Sequence, residues 1–374
     1  MTTRVIGLFV ILVVVGCKDE VMLQNKNNEP KLVVDGFITN ESEPCMIDLS
    51  ITNDINETKK IPYTGCTVTL YENTGISEIL TEIAPGIYSG SEDGITGTVG
   101  KSYKISIKTP DEKEYFTEFQ EMKEPVEIDS VYAELSSIDL KEYPYILPGY
   151  QFYTTSMQAA EKESYFLWKM KETYQYTADY QPVDIINSTS TVADYLKLYR
   201  CWKTESVKYF YTGTTATLTT PQIVHQPLHF VGTETNRLQE RYSLLLKQYS
   251  IDSKSYNFWK CMNEQVTAEN ILFSTQPYNV VGNVKNLNSS NEIVLGNFTV
   301  ASVTQKRIFV NRPRVTHYYD TDCSVNYNID VLRRLPLPVY VVITSDDRMA
   351  AVMEGCINCT SKGGEPNKPE FWID

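Results

Sequence analysis

Hydrophobic and polar positions alternate with a period of two through most of the first third of the chain, as strands with one buried face require. In KLVVDGFIT, residues 31–39, Leu32, Val34 and Ile38 share a face, and Gly36 predicts a bulge or a close backbone approach. CMIDLSIT repeats the alternation through Cys45, Ile47, Leu49 and Ile51, and CTVTLYEN through Cys66, Val68 and Leu70. GIYSG and SYKISIK follow, TPDEKE turns the chain, and YFTEF returns it. GITGTVG, residues 94–100, sits between strands and reads as a turn. Short strands separated by turn signals predict a β-sandwich over residues 30–125.

From VEIDSVY onward the patterned stretches lengthen. ESYFLWKMKETYQY puts Phe166, Trp168, Met170, Tyr174 and Tyr176 on one face, with Glu172 as the polar interruption. RYSLLLKQYSI, NVVGNVKN, IVLGNFTVAS, RIFVNR and PVYVVIT read as further strands. SKSYNFWKCMNEQV instead spaces Tyr256, Trp259, Met262 and Val266 as a helix does, with Asp252 or Ser253 as its N-cap. A larger β-rich domain with at least one amphipathic helix is therefore expected over residues 126–374, and the whole chain is expected to be mostly β.

The chain's start is patterned differently. After Arg4, residues 5–15 are apolar except for Gly7. That run is shorter than the roughly 20 residues a bilayer span needs, and it suits the apolar region of a signal peptide. Residues 1–16 are read as that peptide and residues 17–29, polar throughout most of their length, as a tether. Val14-Val15-Gly16-Cys17 resembles the bacterial lipobox, which would make Cys17 an acylated N-terminus. More than one acyl chain, at about 0.8 kcal/mol per buried methylene, anchors a protein stably. Lys18, Asp19 and Glu20 resemble the export signal that sends Bacteroidota lipoproteins to the outer face of the outer membrane.

Composition narrows the possible partners. The formal net charge of −13 becomes −14 once Arg4 is removed with the signal peptide (−13 − 1), and phosphate backbones repel so acidic a chain. No nucleic-acid partner is expected. Only 3 of 374 residues are His, which weighs against imidazole catalysis or a metal site. His225 and His229 stand four apart in HQPLH, but Pro227 between them argues against a shared helix face. Asp320 and Asp322 begin like a calcium loop, yet Val325 occupies the position that needs Gly; with Asp346 and Asp347 they are read as solvated carboxylates.

Cys356-x-x-Cys359 has redox or zinc spacing, but an exported protein favours disulfides. Two bridges are expected among Cys201, Cys323, Cys356 and Cys359, with the connectivity open. Cys45 and Cys66 are left to pair or stay buried, and Cys261 is expected to be a free, buried thiol. No nucleophile elbow, P-loop, dinucleotide fingerprint or H-E-x-x-H is present, and no cofactor is expected. Two glycosidase carboxylates would leave no local signature. Of the 26 tyrosines, 12 fall between Tyr143 and Tyr211. Within that span YPYILPGYQFY and YQYTADYQP read as Tyr-rich loops, which makes Tyr143, Tyr145, Tyr150, Tyr153, Tyr176 and Tyr180 candidate binding aromatics.

The rhythm APGIYSG … GKSYKISI resembles the transthyretin-like and carboxypeptidase-regulatory-like sandwiches of bacterial surface proteins, modules that imply spacing or docking, and the first domain is expected to be an immunoglobulin-like or transthyretin-like sandwich. More broadly, the chain resembles a family of Bacteroidota outer-membrane lipoproteins catalogued as domain of unknown function 4249. LVVDGFIT carries the resemblance through Val34 and Gly36, QPYNVVGNVKN through Gly282 and Asn283, and VLGNFTVAS through Gly296, Phe298 and Ser302. CINCTSKGGEPNKPEFW adds Cys356, Cys359, Gly363, Gly364, Pro369, Phe371 and Trp372; Asn297 departs from the pattern, where an aromatic is expected. The resemblance implies a sandwich followed by a β-rich domain, and genes lying beside TonB-dependent transporters. The resulting expectation is a non-enzymatic, lipid-anchored accessory subunit of such a transporter, facing the cell exterior. A surface glycan hydrolase and an adhesin-like envelope protein are the alternatives. The tail is expected to clamp Phe371 and Trp372 onto the body.

Overall fold

The computed structural model describes residues 30–53, 59–139, 144–268, 280–289, 291–321 and 323–373. The signal peptide, the tether with Cys17, Lys18, Asp19 and Glu20, and the single positions Tyr143 and Asp322 lie outside the described residues.

Alternation sets the opening strand, Leu32–Thr39, which turns Leu32, Val34, Gly36 and Ile38 inward and Val33, Asp35 and Phe37 to the other face. A side chain at Gly36 would fall 2.4 Å from Ile47 Cδ1, so the close approach expected there comes from packing. The strand pairs antiparallel with Met46–Ile51 and parallel with the strand Leu295–Asn311. The latter joins IVLGNFTVAS and RIFVNR, expected as separate strands, into one 17-residue spine. The polar stretch between the two runs does not break it, because Arg241–Ile251 continues the ladder through Gln248↔Thr304, Lys247↔Gln305 and Leu246↔Lys306. The spine therefore hands over partners, from the opening strand in its first half to Arg241–Ile251 in its second.

That handover builds one 10-stranded sheet, which supplies a wall to two cores. One is closed by a six-stranded sheet containing Thr67–Glu72 and Ser102–Lys108, and holds Val34, Ile47, Leu49, Leu70, Tyr103 and Ile105 together with Phe298 and Val300 of the spine. The other is closed by the three-stranded sheet Ile128–Ile138, Leu147–Ser156 and Gln226–Gly232, over Phe152, Phe166, Trp168, Tyr242 and Leu244. The protein is mostly β and sandwich-like. Each fully buried large side chain contributes about 1.5–3 kcal/mol.

NVVGNVKN supplies only the two-residue strand Lys285–Asn286, on the edge of the six-stranded sheet beside Glu114–Phe116. Gly282 explains why the rest is irregular. A side chain there would meet the Gly296 carbonyl at 1.4 Å, and Gly296 itself has φ +83 and sits against the Val34 carbonyl. Two backbones cross where neither tolerates a Cβ. Residues beyond 280 thus complete the sandwich that residues 30–125 begin.

The Tyr-rich pieces read as loops are largely strand. YPYILPGYQFY enters Leu147–Ser156, and YQYTADYQP ends Tyr165–Thr177. Tyrosine's strand propensity and burial outweigh the Pro and Gly signals there. The helix Ser253–Ala268 forms as expected, and Asp252 is its cap, accepting a hydrogen bond from the Ser255 N–H at 2.7 Å. The helix lies across the face of the large sheet away from the two cores, over Leu167, Ile251 and Ala301. Among the described residues no helix is long and apolar enough to cross a membrane.

Two disulfides form among the four expected cysteines, Cys201–Cys359 and Cys323–Cys356. Cys45 and Cys66 remain free, and Cys261 is free but only half-buried. The tail is clamped by one aromatic. Trp372 is buried against Trp202 and Phe309, whereas Phe371 stays 41% exposed with the Arg307 guanidinium 3.7 Å from its ring centre.

Candidate functional site

The outward face of the opening strand and the helix above it enclose a cleft. Asp35 and Phe37 point up from that strand, Lys169 from Tyr165–Thr177, and Tyr249 from Arg241–Ile251. Trp259 comes down from the helix, its Nε1–H donating to Thr299 Oγ1 at 3.2 Å, so the indole is fixed in place. Two adjoining cavities of about 400 and 380 Å³ share Asp35 and Trp259 as walls. One is lined by Lys169, Lys171, Lys208, Tyr209, Phe210 and Tyr249; the other is mainly apolar, with Phe258, Met262 and Leu295. Their sizes fall in the range of small-ligand sites.

The charges here are unusually placed. The Lys169 ammonium lies 3.9 Å from the centre of the Phe37 ring and 4.7 Å from that of Trp259, a cation held over aromatic faces. Among the described residues it has no ion-pair partner. Burial lowers its pKa, and the nearby Asp35 carboxylate opposes that shift. Asp35 accepts no hydrogen bond from a described residue. Water reaches it through the cleft, but protein crowds its other sides, and this desolvation pushes its pKa up despite Lys169. Partly desolvated opposite charges without hydrogen-bond partners among the described residues, in a cleft with aromatic walls, are what a recognition site presents to a polar ligand.

A second carboxylate stands near. Asp48 is directly opposite Asp35 across the antiparallel pair, a position that brings Cβ atoms to roughly 4.5–5.5 Å. Asp48 forms an ion pair with Lys60 and lines neither cavity.

The expected aromatic surface is dispersed. Tyr176 is fully buried, its hydroxyl donating to the Cys359 carbonyl at 2.7 Å; it is a core residue and no contact point. Tyr180 is half-buried against the small sheet Pro182–Ile186, Val339–Ile343 and Met349–Val352. Tyr150 donates to the Asn311 carbonyl at 3.2 Å, and Tyr145 stacks on Tyr318 with ring centres 3.6 Å apart. Tyr153 alone joins an outward cluster, stacked 4.0 Å from the exposed His225 ring, with Tyr132 beside both. His229, by contrast, faces inward. Its Nε2 is 3.8 Å from Glu172, whose carboxylate accepts from the Tyr242 hydroxyl at 2.7 Å and faces Arg237 at 3.5 Å. The two histidines therefore share no ligand.

A larger groove of about 770 Å³ lies along the small sheet between Ser324 and Glu354. Its walls are mostly aliphatic, and its carboxylate, Glu354, is already bonded to the Tyr195 hydroxyl. Volume is its main claim; the cleft at Asp35 carries the chemistry.

Nothing in the strand patterns singled out Asp35 or Lys169. A lone charge at an outward strand position reads as solvated, and only the helix packed above turns that face into a cleft.

No curated protein sequence matches the chain. Residues 18–307 match the family described as a domain of unknown function, DUF4249. The matched region contains every cleft residue named above. It stops short of the groove and of the cysteine-bearing tail, so that part of the resemblance lies beyond it. The chain belongs to the DUF4249 family.

Proposed function

We propose that this protein is a non-enzymatic, lipid-anchored binding subunit on the outer membrane, associated with a TonB-dependent nutrient transporter. Cys17 carries the acyl chains, and Lys18, Asp19 and Glu20 direct it to the cell exterior. The observation that carries the binding reading is the cleft in which Asp35 and Lys169 meet no hydrogen-bonding partner among the described residues, beside Phe37 and Trp259. Such a cleft captures a solute close to the membrane, where a transporter can take it up. Extraction in mild detergent followed by pull-down through an internal tag tests the association. A TonB-dependent barrel recovered in stoichiometric amount is expected; recovery of the protein alone overturns the partnership. Loss of fatty-acid labelling in Cys17→Ala tests the anchor separately.

One observation favours a second reading, surface glycan hydrolysis. Asp35 and Asp48 stand directly opposite each other across the antiparallel pair, two carboxylates on one face as a glycosidase needs, and burial raises the pKa of Asp35. Against it, Asp48 is paired with Lys60 outside the cleft. Turnover of a glycan that is abolished by both Asp35→Asn and Asp48→Asn would establish the enzyme.

A further inference from the structure

We infer that the cleft between the helix Ser253–Ala268 and the large sheet binds an acidic saccharide, a sugar chain bearing carboxylates. This deepens the binding reading above and rests on it.

Three features of the lining choose the ligand. Lys169, Lys171 and Lys208 line the same cavity, and none has an ion-pair partner among the described residues. Lys247, also in the lining, is already neutralised by Glu41 at 2.8 Å. Among the described residues these three ammoniums, without ion-pair partners, outnumber the two carboxylates of the same lining, Asp35 and Glu43, so that in a chain of net charge −13 the cavity carries a local positive excess. The aromatic component comes next. Trp259 is locked by Thr299, while Tyr209 is 44% exposed at the rim, where it can meet a second ring. Apolar ring faces beside polar groups suit the C–H faces of a pyranose.

Asp35 makes the final discrimination. A bare phosphate or sulfate would meet its carboxylate with repulsion, whereas a sugar hydroxyl donates to it. A zwitterionic peptide terminus would bring an ammonium to Asp35 but would set it against Lys169. The ligand that satisfies these groups carries anionic charge for the lysines, hydroxyl donors for Asp35 and Glu43 and a flat apolar face for the rings.

The test uses the full chain in detergent micelles and tryptophan fluorescence titration. The probes are oligomers of galacturonate, glucuronate, mannuronate and sialate, each beside its carboxyl-reduced counterpart, with a dipeptide as the zwitterionic control. At least one acidic oligomer is expected to bind, and carboxyl reduction to weaken it by about ten-fold or more, as for loss of a charge-assisted contact. Lys208→Ala and Tyr209→Ala, both at the exposed rim and so compatible with folding, should each weaken it in the same direction. Lys169→Met should abolish it. Equal affinity for acidic and reduced forms, tighter binding of the dipeptide, or no binding by any oligomer overturns the assignment. Binding without a co-purifying transporter would leave the saccharide site standing and remove only the partnership.

Discussion

The side-chain amide of Asn283 closes two hydrogen bonds on one residue of the spine: Nδ2 donates to the Phe298 carbonyl at 2.7 Å and Oδ1 accepts from the Phe298 N–H at 3.0 Å. A side chain thereby does what a neighbouring strand would do, at the point where Gly282 and Gly296 bring the backbones together. Asn283→Leu leaves the buried Phe298 N–H unsatisfied, which costs about 1–3 kcal/mol. Urea denaturation should show a lower midpoint at unchanged slope; an unchanged midpoint would mean that water replaces the amide without loss.

Asp35→Asn separates stability from recognition. The Asp35 pKa is raised in the folded protein, so its contribution is fully present below the unfolded value and is lost as pH rises through the folded one. At pH 7 the ionised carboxylate is thus a cost that Asn removes. The variant should melt higher than the parent at pH 7 and no higher at pH 3, while losing ligand. A lower melting temperature at pH 7 would show that Lys169 depends on the charge for its position.

His229 gives the opposite pH dependence. Burial first, and the Arg237 cation second, depress its pKa to about 4. Stability held above the unfolded pKa near 6.5 should decline as pH falls toward 4, by at most about 1.4 kcal/mol for each pH unit. Glu172, whose pKa burial raises, faces the same ring and accepts a hydrogen bond from the Tyr242 hydroxyl. His229→Gln should flatten the denaturation midpoint between pH 6.5 and 4, and a profile as steep as the parent's would assign the effect to other groups.

The two disulfides close loops of different length, with sequence separations of 158 for Cys201–Cys359 and 33 for Cys323–Cys356. Loop entropy assigns them about 5 and 4 kcal/mol respectively. Paired Cys→Ser replacements should therefore both destabilise, the first more. If the short-loop pair proves the costlier, native packing outweighs chain entropy at Cys323, whose Sγ lies 3.0 Å from the Asp179 carboxylate that Lys362 neutralises.

In the tail, Trp372→Ala should cost about 3–5 kcal/mol, as removal of a buried aromatic does, because Trp372 is 4% exposed. Phe371→Ala should cost under about 1 kcal/mol, since its ring is 41% exposed and lies over the Arg307 guanidinium. Equal losses would show that the Phe371 ring packs into the fold as firmly as Trp372 does.

Legibility tracked local pattern. The alternation in LVVDGFIT, MIDLSI and SYKISIK, the helix at Trp259 and the four bridged cysteines are all local properties, and each reads correctly from the chain. What failed to read depends on distant neighbours. Thr304–Lys306 looks like a break until Arg241–Ile251 pairs with it, and Tyr176 looks like a contact residue until the Cys359 carbonyl lies over it. The site was hidden for the same reason. Asp35, Lys169 and Trp259 come from three separate stretches, and no spacing rule links them.

The spine strand also sets a timetable. Val33 is among the first described residues to leave a ribosome or an export channel, yet one of its two strand neighbours is Leu295. Until the last quarter of the chain arrives, the opening strand shows an unpaired edge and a half-filled core, the condition in which strands seek the wrong partner. The fold cannot be finished from its front end: it stays open until the spine returns to the place where the chain's first strand was laid down.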